Sequence, residues 1–395
     1  MGRVGVNLLP KCYEDPYKQD FTAKAASSSN GLLAIEPDYF FPGGGGQASD
    51  RGEIAWAGGK AKVIDVLEAG LKLEGEIPKV GEQLQCKIGW ERRYPMMKAH
   101  TAEHMLFQSL SRLFPSISPE KVTIEPNSFS LFVRHPSPLD WEKVLVAEKL
   151  VNEKIREGKQ VSASFSKKED VGKDVRIKQE RIEGPDVRVI SIEDFDKVAC
   201  SGLHVKNTGE ISAFCIQRIA SEKPGIWQIG YLIGSEAVDY LLESSKTALS
   251  SAQILGTGTD RLEKTVANMK DDELRAKAAT KELAEMAFSS LEPEQHNGVS
   301  LYFRVFPAME QKILQEWASK LVRKEKTFVI FAVKGAEKAF LTFGKSKDLA
   351  TDVKKLANEA FRLMNGKGGG NEFFATGSGD SDKLDEAIAL IKAAI

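Results

Sequence analysis

The chain has 395 residues, which is too long for one ordinary hydrophobic core, so we expect about two to four modules. Its 55 basic and 56 acidic residues give a formal net charge of −1, which excludes a globally basic nucleic-acid binder and limits any RNA contact to local patches. The four cysteines form no paired framework, and no apolar run is long enough to span a membrane. We therefore expect a soluble, cytoplasmic protein.

Residues 1–92 predict a β-rich, barrel-like subdomain, because short β-prone stretches at 21–25, 31–35, 60–67 and 83–88 are separated by glycine, proline and asparagine. Four consecutive glycines, Gly43, Gly44, Gly45 and Gly46, precede Gln47. They would let the backbone approach a ligand closely. A bare glycine run is more often a flexible hairpin tip, but the flanking aromatic and polar residues weaken the case for a mere linker.

Residues 93–234 predict an α+β domain that begins with a helix over 97–114, where apolar residues recur at helical spacing. Strands are expected at 121–124, 129–134, 187–192 and 211–219, and a second helix over 140–157 ends at Gly158. Glu103 points about 100° away from His104 around the first helix, so we expect a solvated carboxylate. The basic residues between 167 and 181 are interleaved with acids, which slightly favours a solvated face over a phosphate-binding stripe. These basic residues are Lys167, Lys168, Lys173, Arg176, Lys178 and Arg181.

Two short stretches each place two potential zinc ligands four residues apart: His100 with His104, and Cys200 with His204. On a helix, this spacing rotates the second side chain by roughly 40° and raises it by about 6 Å, so both face one ion. Thiolate and imidazole are the ligand types that suit zinc best, and we predict one four-ligand zinc site. Four protein ligands usually mean a structural site, while catalytic zinc keeps an open position, so the ligand set alone leaves both interpretations open.

Residues 235–290 contain no proline and predict two long helices broken at 256–258, a hairpin that could link domains or form a homodimer. Residues 291–395 alternate strand and helix and predict a small α/β domain. Within it, the glycine-rich segment 366–371 is expected as a loop that leads into a last helix from Lys383, an arrangement that suits phosphate binding. The segment lacks the Gly-Lys-Ser/Thr spacing of a P-loop.

The motifs in this order form a recognisable set: Gly-Gly-Gly-Gln followed by Ser-Asp-x-Gly, then His-x-x-x-His, then Cys-x-Gly-x-His-Val-x-Asn-Thr-Gly-Glu-Ile. The set resembles the editing domain of alanyl-tRNA synthetases, and most closely the free-standing AlaX proteins of the long form, which add a DHHA1 (C-Ala) domain. The resemblance implies a zinc-dependent deacylase, independent of ATP, that removes serine, and as a second substrate glycine, from mischarged tRNA-Ala.

The resemblance also assigns residues. It implies that the Zn²⁺ ligands are His100, His104, Cys200 and His204. It implies that the pocket for the terminal adenosine and the amino acid includes Gly43, Gly44, Gly45, Gly46, Gln47 and Thr123. It implies that the DHHA1-like domain contacts tRNA through Lys367, Gly368, Gly369 and Gly370.

The chain departs from the family pattern at several positions. Leu203 stands where the family has a threonine next to the metal, and Gln228 and Gly230 replace an arginine and a glutamate. Two alternatives therefore stay open. One is a deacylase for another mischarged tRNA, such as Ser-tRNA-Thr, because threonyl-tRNA synthetase editing domains share the metal pattern. The other is a non-catalytic tRNA-binding protein with a structural zinc.

Overall fold

The computed structural model describes residues 11–172, 174–177 and 186–395. The chain forms two compact units, Met1–Ser251 and Ala252–Ile395. The boundary lies inside the segment that the sequence predicts as a helical hairpin, so the two helices of that segment fall mainly in different units.

The first unit begins with a closed six-stranded barrel, in agreement with the barrel-like subdomain predicted for residues 1–92. Neighbouring strands are antiparallel, and the order around the barrel is β1-β2-β5-β4-β3-β6. Alternate residues point inward, as in β6, where Leu84, Cys86 and Ile88 are buried between exposed neighbours. The strands are β1 (Asp20–Ser29), β2 (Leu32–Glu36), β3 (Gly52–Trp56), β4 (Gly59–Leu67), β5 (Gly70–Gly75) and β6 (Gln83–Ile88).

The rest of the first unit builds two helices and two small sheets around one apolar core. Helix α1 (Trp90–Leu113) is almost entirely buried in its second half, and α2 (Trp141–Glu157) packs against it. Asp140 caps α2 by accepting a hydrogen bond from the Glu142 amide, and Gly158 ends it in the left-handed conformation at φ 63°. The observed helix, Trp141–Glu157, thus begins one residue after the predicted start and ends at the predicted residue.

The two sheets flank these helices. One has the order β12-β13-β8-β7 and the other β11-β10-β9. The strand predicted at 211–219 starts later than expected, because residues Thr208–Ile211 form a short 3₁₀ turn held by an Asn207–Glu210 capping box. The strands are β7 (Ser118–Glu125), β8 (Ser128–Arg134), β9 (Val161–Lys167), β10 (Asp186–Ile192), β11 (Asp196–Ala199), β12 (Phe214–Lys223) and β13 (Ile226–Ile233).

The predicted helical segment forms α3 (Gly234–Ile254) and α4 (Leu262–Ser289). The break falls at Gly256, whose φ of +61° suits glycine. In the described part of the chain, no helix is long and apolar enough to cross a membrane.

The second unit contains a six-stranded sheet of order β14-β15-β16-β17-β19-β18, in which β15 and β16 are parallel and the other neighbours antiparallel. One face of the sheet packs against α6 and α7, and the other against α5 and the end of α4. The elements are β14 (Glu294–His296), β15 (Val299–Phe306), α5 (Gln311–Leu321), β16 (Thr327–Lys334), β17 (Lys338–Lys345), α6 (Val353–Leu363), β18 (Lys367–Gly370), β19 (Phe374–Asp380) and α7 (Leu384–Ala393).

The glycine-rich segment of this unit is not the helix-opening loop that the sequence predicts. Its residues Lys367–Gly370 form the edge strand β18, and β19 stands between that strand and the last helix. A Cβ at Gly368 would lie 2.4 Å from the ring of Phe361 on α6, so this glycine permits close packing of the helix. The loop prediction was wrong because glycine has two uses. It is required where a helix packs closely on a strand, as well as where a ligand approaches the backbone.

Candidate metal centre

The four predicted zinc ligands come together in the first unit. One ligand atom from each of His100, His104, Cys200 and His204 lies within 4.8 Å of the others. The three imidazoles are nearly inaccessible to solvent, at 1%, 3% and 5% exposure. The two histidines of α1 share a helical face as predicted, whereas Cys200 and His204 lie in an irregular segment after β11. Helical spacing therefore explains the proximity of the first pair, His100 and His104, but not that of the second pair.

Hydrogen bonds from the chain fix the orientation of His100. The Oε1 atom of Gln47 accepts from the Leu203 amide at 3.0 Å and lies 3.0 Å from His100 Nδ1. Since this oxygen can only accept, Nδ1 must carry the proton, which leaves Nε2 free to bind a metal. That Nε2 lies 3.4 Å from the Cys200 sulfur.

His204 is oriented by the same kind of contact. Thr101 donates its hydroxyl proton to the Met97 carbonyl oxygen at 3.1 Å and accepts from the Val205 amide at 3.3 Å. Its oxygen lies 3.2 Å from His204 Nδ1, so that nitrogen must donate. The Nε2 atom of His204 is consequently unprotonated, and it is buried without a hydrogen-bond partner among the described residues.

These residues fit a zinc ion. His204 Nε2 and His104 Nδ1 are buried without partners, which is costly unless a ligand satisfies them. Burial lowers the pKa of His100 to about 3 and those of His104 and His204 well below their usual value, which keeps the imidazoles neutral as metal binding requires. Burial raises the pKa of Cys200 to about 11, so a cation is needed to stabilise the thiolate.

The glycine run packs directly on this centre. All four glycines from Gly43 to Gly46 have positive φ, which other residues rarely adopt. A Cβ at Gly45 would lie 3.1 Å from His100 Cε1 and 3.3 Å from the Cys200 sulfur. A Cβ at Gly46 would lie 2.4 Å from the Val122 carbonyl oxygen. The run is therefore a fixed wall of the metal centre rather than a flexible hairpin tip.

A cavity of about 780 Å³ opens beside the centre. Three of the four ligands line it, together with Gly45 and Gly46. Other lining residues come from β7, β9, β10 and β11. These three candidate metal ligands thus lie at the surface of a ligand-sized space, since small-molecule sites usually measure about 300–1,000 Å³.

The position of Glu103 corrects a prediction. Its side chain is 4% exposed and lines the cavity, so it is not a solvated surface carboxylate. Burial raises its pKa to about 7, and the nearby Arg176 guanidinium opposes this shift. The helical angle alone was misleading, because the cavity extends around α1 beyond the face of the two histidines.

One basic residue of the cavity, Arg188, had no recognisable signal in the sequence. Arg188 on β10 donates to the carbonyl oxygens of Cys200 and Gly202, at 3.0 and 2.6 Å, and thereby holds the second ligand segment. Its guanidinium carbon lies 4.6 Å from the centre of the Tyr13 ring. These contacts join parts of the chain that are far apart in sequence, so no local motif could indicate them.

The basic region 167–181 was predicted to be a solvated face. Among its described basic residues, one is packed against the protein and the others are exposed. Arg176 packs over the Phe107 ring and donates to Asp196 at 2.5 Å, so it is not solvated, whereas Lys167 pairs with Asp186 at its exposed end. The prediction for Lys173, Lys178 and Arg181 lies outside the described residues.

The remaining predicted substrate residues lie elsewhere. Gln47 holds the metal ligands from behind, and neither Gln47 nor Gly43 or Gly44 is among the described residues that line the cavity. Thr123 is half-buried on β7, next to the cavity-lining Val122, but it does not line the cavity itself.

The comparisons with known proteins divide the chain in the same order as the motifs. Residues 187–229, which include Cys200 and His204, match the threonyl and alanyl tRNA synthetase second additional domain. Residues 298–395, which include the strand of Lys367–Gly370, match the DHHA1 domain.

Curated relatives cover nearly the whole chain. The alanine–tRNA ligase of Pyrobaculum arsenaticum is 29% identical over 398 residues, that of Pyrobaculum neutrophilum is 29% identical over 395 residues, and each match covers 95% of this chain and 43% of the relative. The alanine–tRNA ligase of Thermotoga sp. strain RQ2 is 28% identical over 377 residues, which are 92% of this chain and 43% of that protein. Among solved structures, the C-Ala domain from Aquifex aeolicus alanyl-tRNA synthetase is 28% identical and covers 26% of this chain and 96% of that chain, with a TM-score of 0.24.

The fold and the matched domains define a multidomain α+β protein related to the aminoacyl-tRNA synthetases. Within that class, the matches support an AlaX-like arrangement, in which residues similar to the threonyl and alanyl tRNA synthetase second additional domain precede residues similar to the DHHA1 domain. The chain spans less than half the length of the ligases that it matches.

Proposed function

We propose that this protein is a zinc-dependent hydrolase that removes wrongly attached amino acids from tRNA-Ala, with Ser-tRNA-Ala as the main substrate and Gly-tRNA-Ala as a second one. The observation that carries the proposal is the four-residue cluster at the edge of a cavity of about 780 Å³. Four protein ligands alone would suit a structural zinc, but three of these four residues line a cavity of ligand size.

The cavity suits the aminoacylated end of a tRNA. It is lined by the backbone of Gly45 and Gly46, and basic side chains from Lys121, Arg176 and Arg188 border it. Positive charge near the reaction site favours the phosphates of the terminal nucleotides. The same lining contains three acids, Glu103, Glu120 and Asp186, so the positive charge is local and does not form a continuous border.

The chain's own residues position the reacting groups. Gln47 and Thr101 fix the two imidazoles whose Nε2 atoms face the ion, and Arg188 holds the segment that contains Cys200. Bound zinc would supply a Lewis acid for the ester carbonyl or lower the pKa of a water molecule to about 7.

The DHHA1 domain is the second part of the proposal. We propose that it contacts tRNA through the exposed edge strand of Lys367–Gly370, whose backbone is accessible along its length. A homodimer through α3, α4 and this domain is proposed on the exposed apolar residues of the helices, which include Leu242, Leu249 and Ile254.

A deacylase for Ser-tRNA-Thr is the second candidate, because the family matched by residues 187–229 includes threonyl as well as alanyl synthetases. The alanine–tRNA ligases that align with 95% of this chain favour tRNA-Ala. A non-catalytic tRNA-binding protein with structural zinc is the third candidate, which the complete ligand set favours and the open cavity opposes.

The test is deacylation of Ser-tRNA-Ala, Gly-tRNA-Ala, Ala-tRNA-Ala and Ser-tRNA-Thr by the zinc-loaded protein. We expect rapid loss of serine from tRNA-Ala, slow loss of alanine, and no loss of serine from tRNA-Thr. His104→Ala should abolish the reaction, whereas the matched control His135→Ala, which changes a histidine outside the metal cluster, should leave it unchanged. Hydrolysis of none of the esters, with tRNA still bound, would identify a binding protein instead.

A further inference from the structure

Glu103 is a buried acid that the metal site does not use. It is 4% exposed and lines the cavity beside His100 and His104. Its Oε2 atom lies 3.7 Å from His104 Nε2, which is too long for a hydrogen bond. Its oxygens also lie outside the group of atoms that can share one ion. Glu103 is therefore neither a metal ligand nor a residue that supports a ligand by a hydrogen bond.

The other acids of the cavity differ from Glu103 in having a basic partner. Glu120 pairs with Arg134 at 2.9 Å, and Asp186 pairs with Lys167 at 2.7 Å. No lysine or arginine of the described residues forms an ion pair with Glu103, and none of their groups donates a hydrogen bond to its carboxylate.

Arg176, which lines the same cavity, is already engaged. It donates to Asp196 at 2.5 Å and packs over the Phe107 ring. A buried carboxylate without a donor is costly, and a ligand with a positive charge and N–H groups removes that cost. Glu103 is therefore suited to a cationic group of a ligand in this cavity.

We propose that Glu103 binds the α-ammonium group of the aminoacyl ester and so orients the substrate; this role rests on the proposed function. The ammonium nitrogen and the ester carbonyl are both bonded to the α-carbon. Anchoring the first at Glu103 consequently keeps the second close to the adjacent metal-binding histidines. Glu103 is then a specificity-determining residue that selects esters of free amino acids over esters without a positive charge.

The experiment compares Glu103→Gln with Glu120→Gln in the zinc-loaded protein. The control acid lines the same cavity but is paired with Arg134. Each variant is given Ser-tRNA-Ala and tRNA-Ala that carries a 3-hydroxypropionyl ester, in which hydrogen replaces the ammonium group. We expect Glu103→Gln to lower kcat/KM for the seryl ester by about 10- to 100-fold, the range for a lost hydrogen bond to a charged group. The second ester should change little, and any effect of Glu120→Gln should be the same for the two esters.

A binding measurement provides a readout that does not depend on turnover. The probes are 3′-deoxyadenosines that carry serine or 3-hydroxypropionic acid through a 3′-amide, which is not an ester. We expect the wild-type protein to bind the seryl amide more tightly, and Glu103→Gln to remove that preference. Glu103→Asp keeps the charge and should retain part of the preference, and it serves if the glutamine variant does not fold.

Several results would overturn the proposal. Equal slowing of both esters in Glu103→Gln would mean that the carboxylate acts on the ester or on water instead. Weaker zinc binding in this variant would make Glu103 a support for His104. Equal binding of the two amides by the wild-type protein would exclude an ammonium site. If the wild-type protein bound the amides with the expected preference but hydrolysed no ester, the proposed function would fail while the role of Glu103 would stand.

Discussion

A buried ion pair connects the glycine run to the metal-binding helix, and its removal should destabilise the first unit strongly. Arg93 on α1 and Asp50, which follows the glycine run, have no exposed side-chain surface. The Nε of Arg93 donates to Asp50 at 3.0 Å, and its terminal nitrogens donate to the carbonyl oxygens of Pro16, Lys18 and Tyr39. The carboxylate is thus the only counter-charge among these acceptors.

The substitution Asp50→Ala leaves the Arg93 guanidinium buried without that counter-charge. Because both side chains are fully buried, we expect the free energy of unfolding to fall by about 3–5 kcal/mol. The double variant Arg93→Met with Asp50→Leu should lose less than the single one, because no unpaired charge remains. Glu243→Ala, which removes an exposed pair with Lys246, should have little effect.

The assay is urea unfolding followed by tryptophan fluorescence in a Trp317→Phe background. Four of the five tryptophans lie in the first unit and Trp317 lies in the second, so this background reports on the first unit alone. A loss below about 1 kcal/mol in Asp50→Ala, equal to an exposed pair, would refute the argument. The argument would also fail if the double variant lost about twice as much free energy of unfolding as Asp50→Ala.

Three further predictions concern the metal centre and the glycine segments. Gln47→Ala should weaken zinc binding by about 10- to 100-fold, measured by competition with a chelating dye, because the tautomer of one ligand is no longer fixed; unchanged affinity would contradict this role. Gly45→Ala should also lower zinc affinity, whereas Gly31→Ala, which has a similar φ but open space around it, should only reduce stability; equal zinc affinities in the two variants would remove the steric argument. Gly368→Ala should lower the melting temperature of the second unit more than Gly369→Ala, which meets no atom within 4 Å, and equal melting temperatures would count against a packing role.

Local patterns in the sequence were sufficient for the barrel and the long helices, and they singled out the four residues that cluster as a candidate metal site. Alternation and turn residues predicted the barrel, and helical spacing predicted α1, α3 and α4. The scarcity of histidine and cysteine made the four ligands stand out, and the cluster of His100, His104, Cys200 and His204 agrees with that prediction. These features depend on residues near each other in sequence or on rare residue types.

The roles of Glu103, Arg188 and Gln47 could not be predicted, because they depend on contacts between distant segments. Helical geometry gave the direction of Glu103 but not the extent of the cavity around α1. Gln47 belongs to a motif whose resemblance implied substrate contact, yet it holds two metal-ligand segments together. The glycines of β18 show the same limit, since the sequence does not tell close packing from ligand approach.

The most direct test of the account is a zinc titration of the metal-free protein, with initial rates of serine release from Ser-tRNA-Ala measured at each point. If the cluster is a zinc-dependent deacylation site, the rate should rise linearly and stop rising at one equivalent of zinc, while Cys200→Ser should show no such rise. A rate that is independent of zinc, or no release at any zinc concentration by a folded protein that binds one ion, would contradict the claim that this cluster forms a deacylation site.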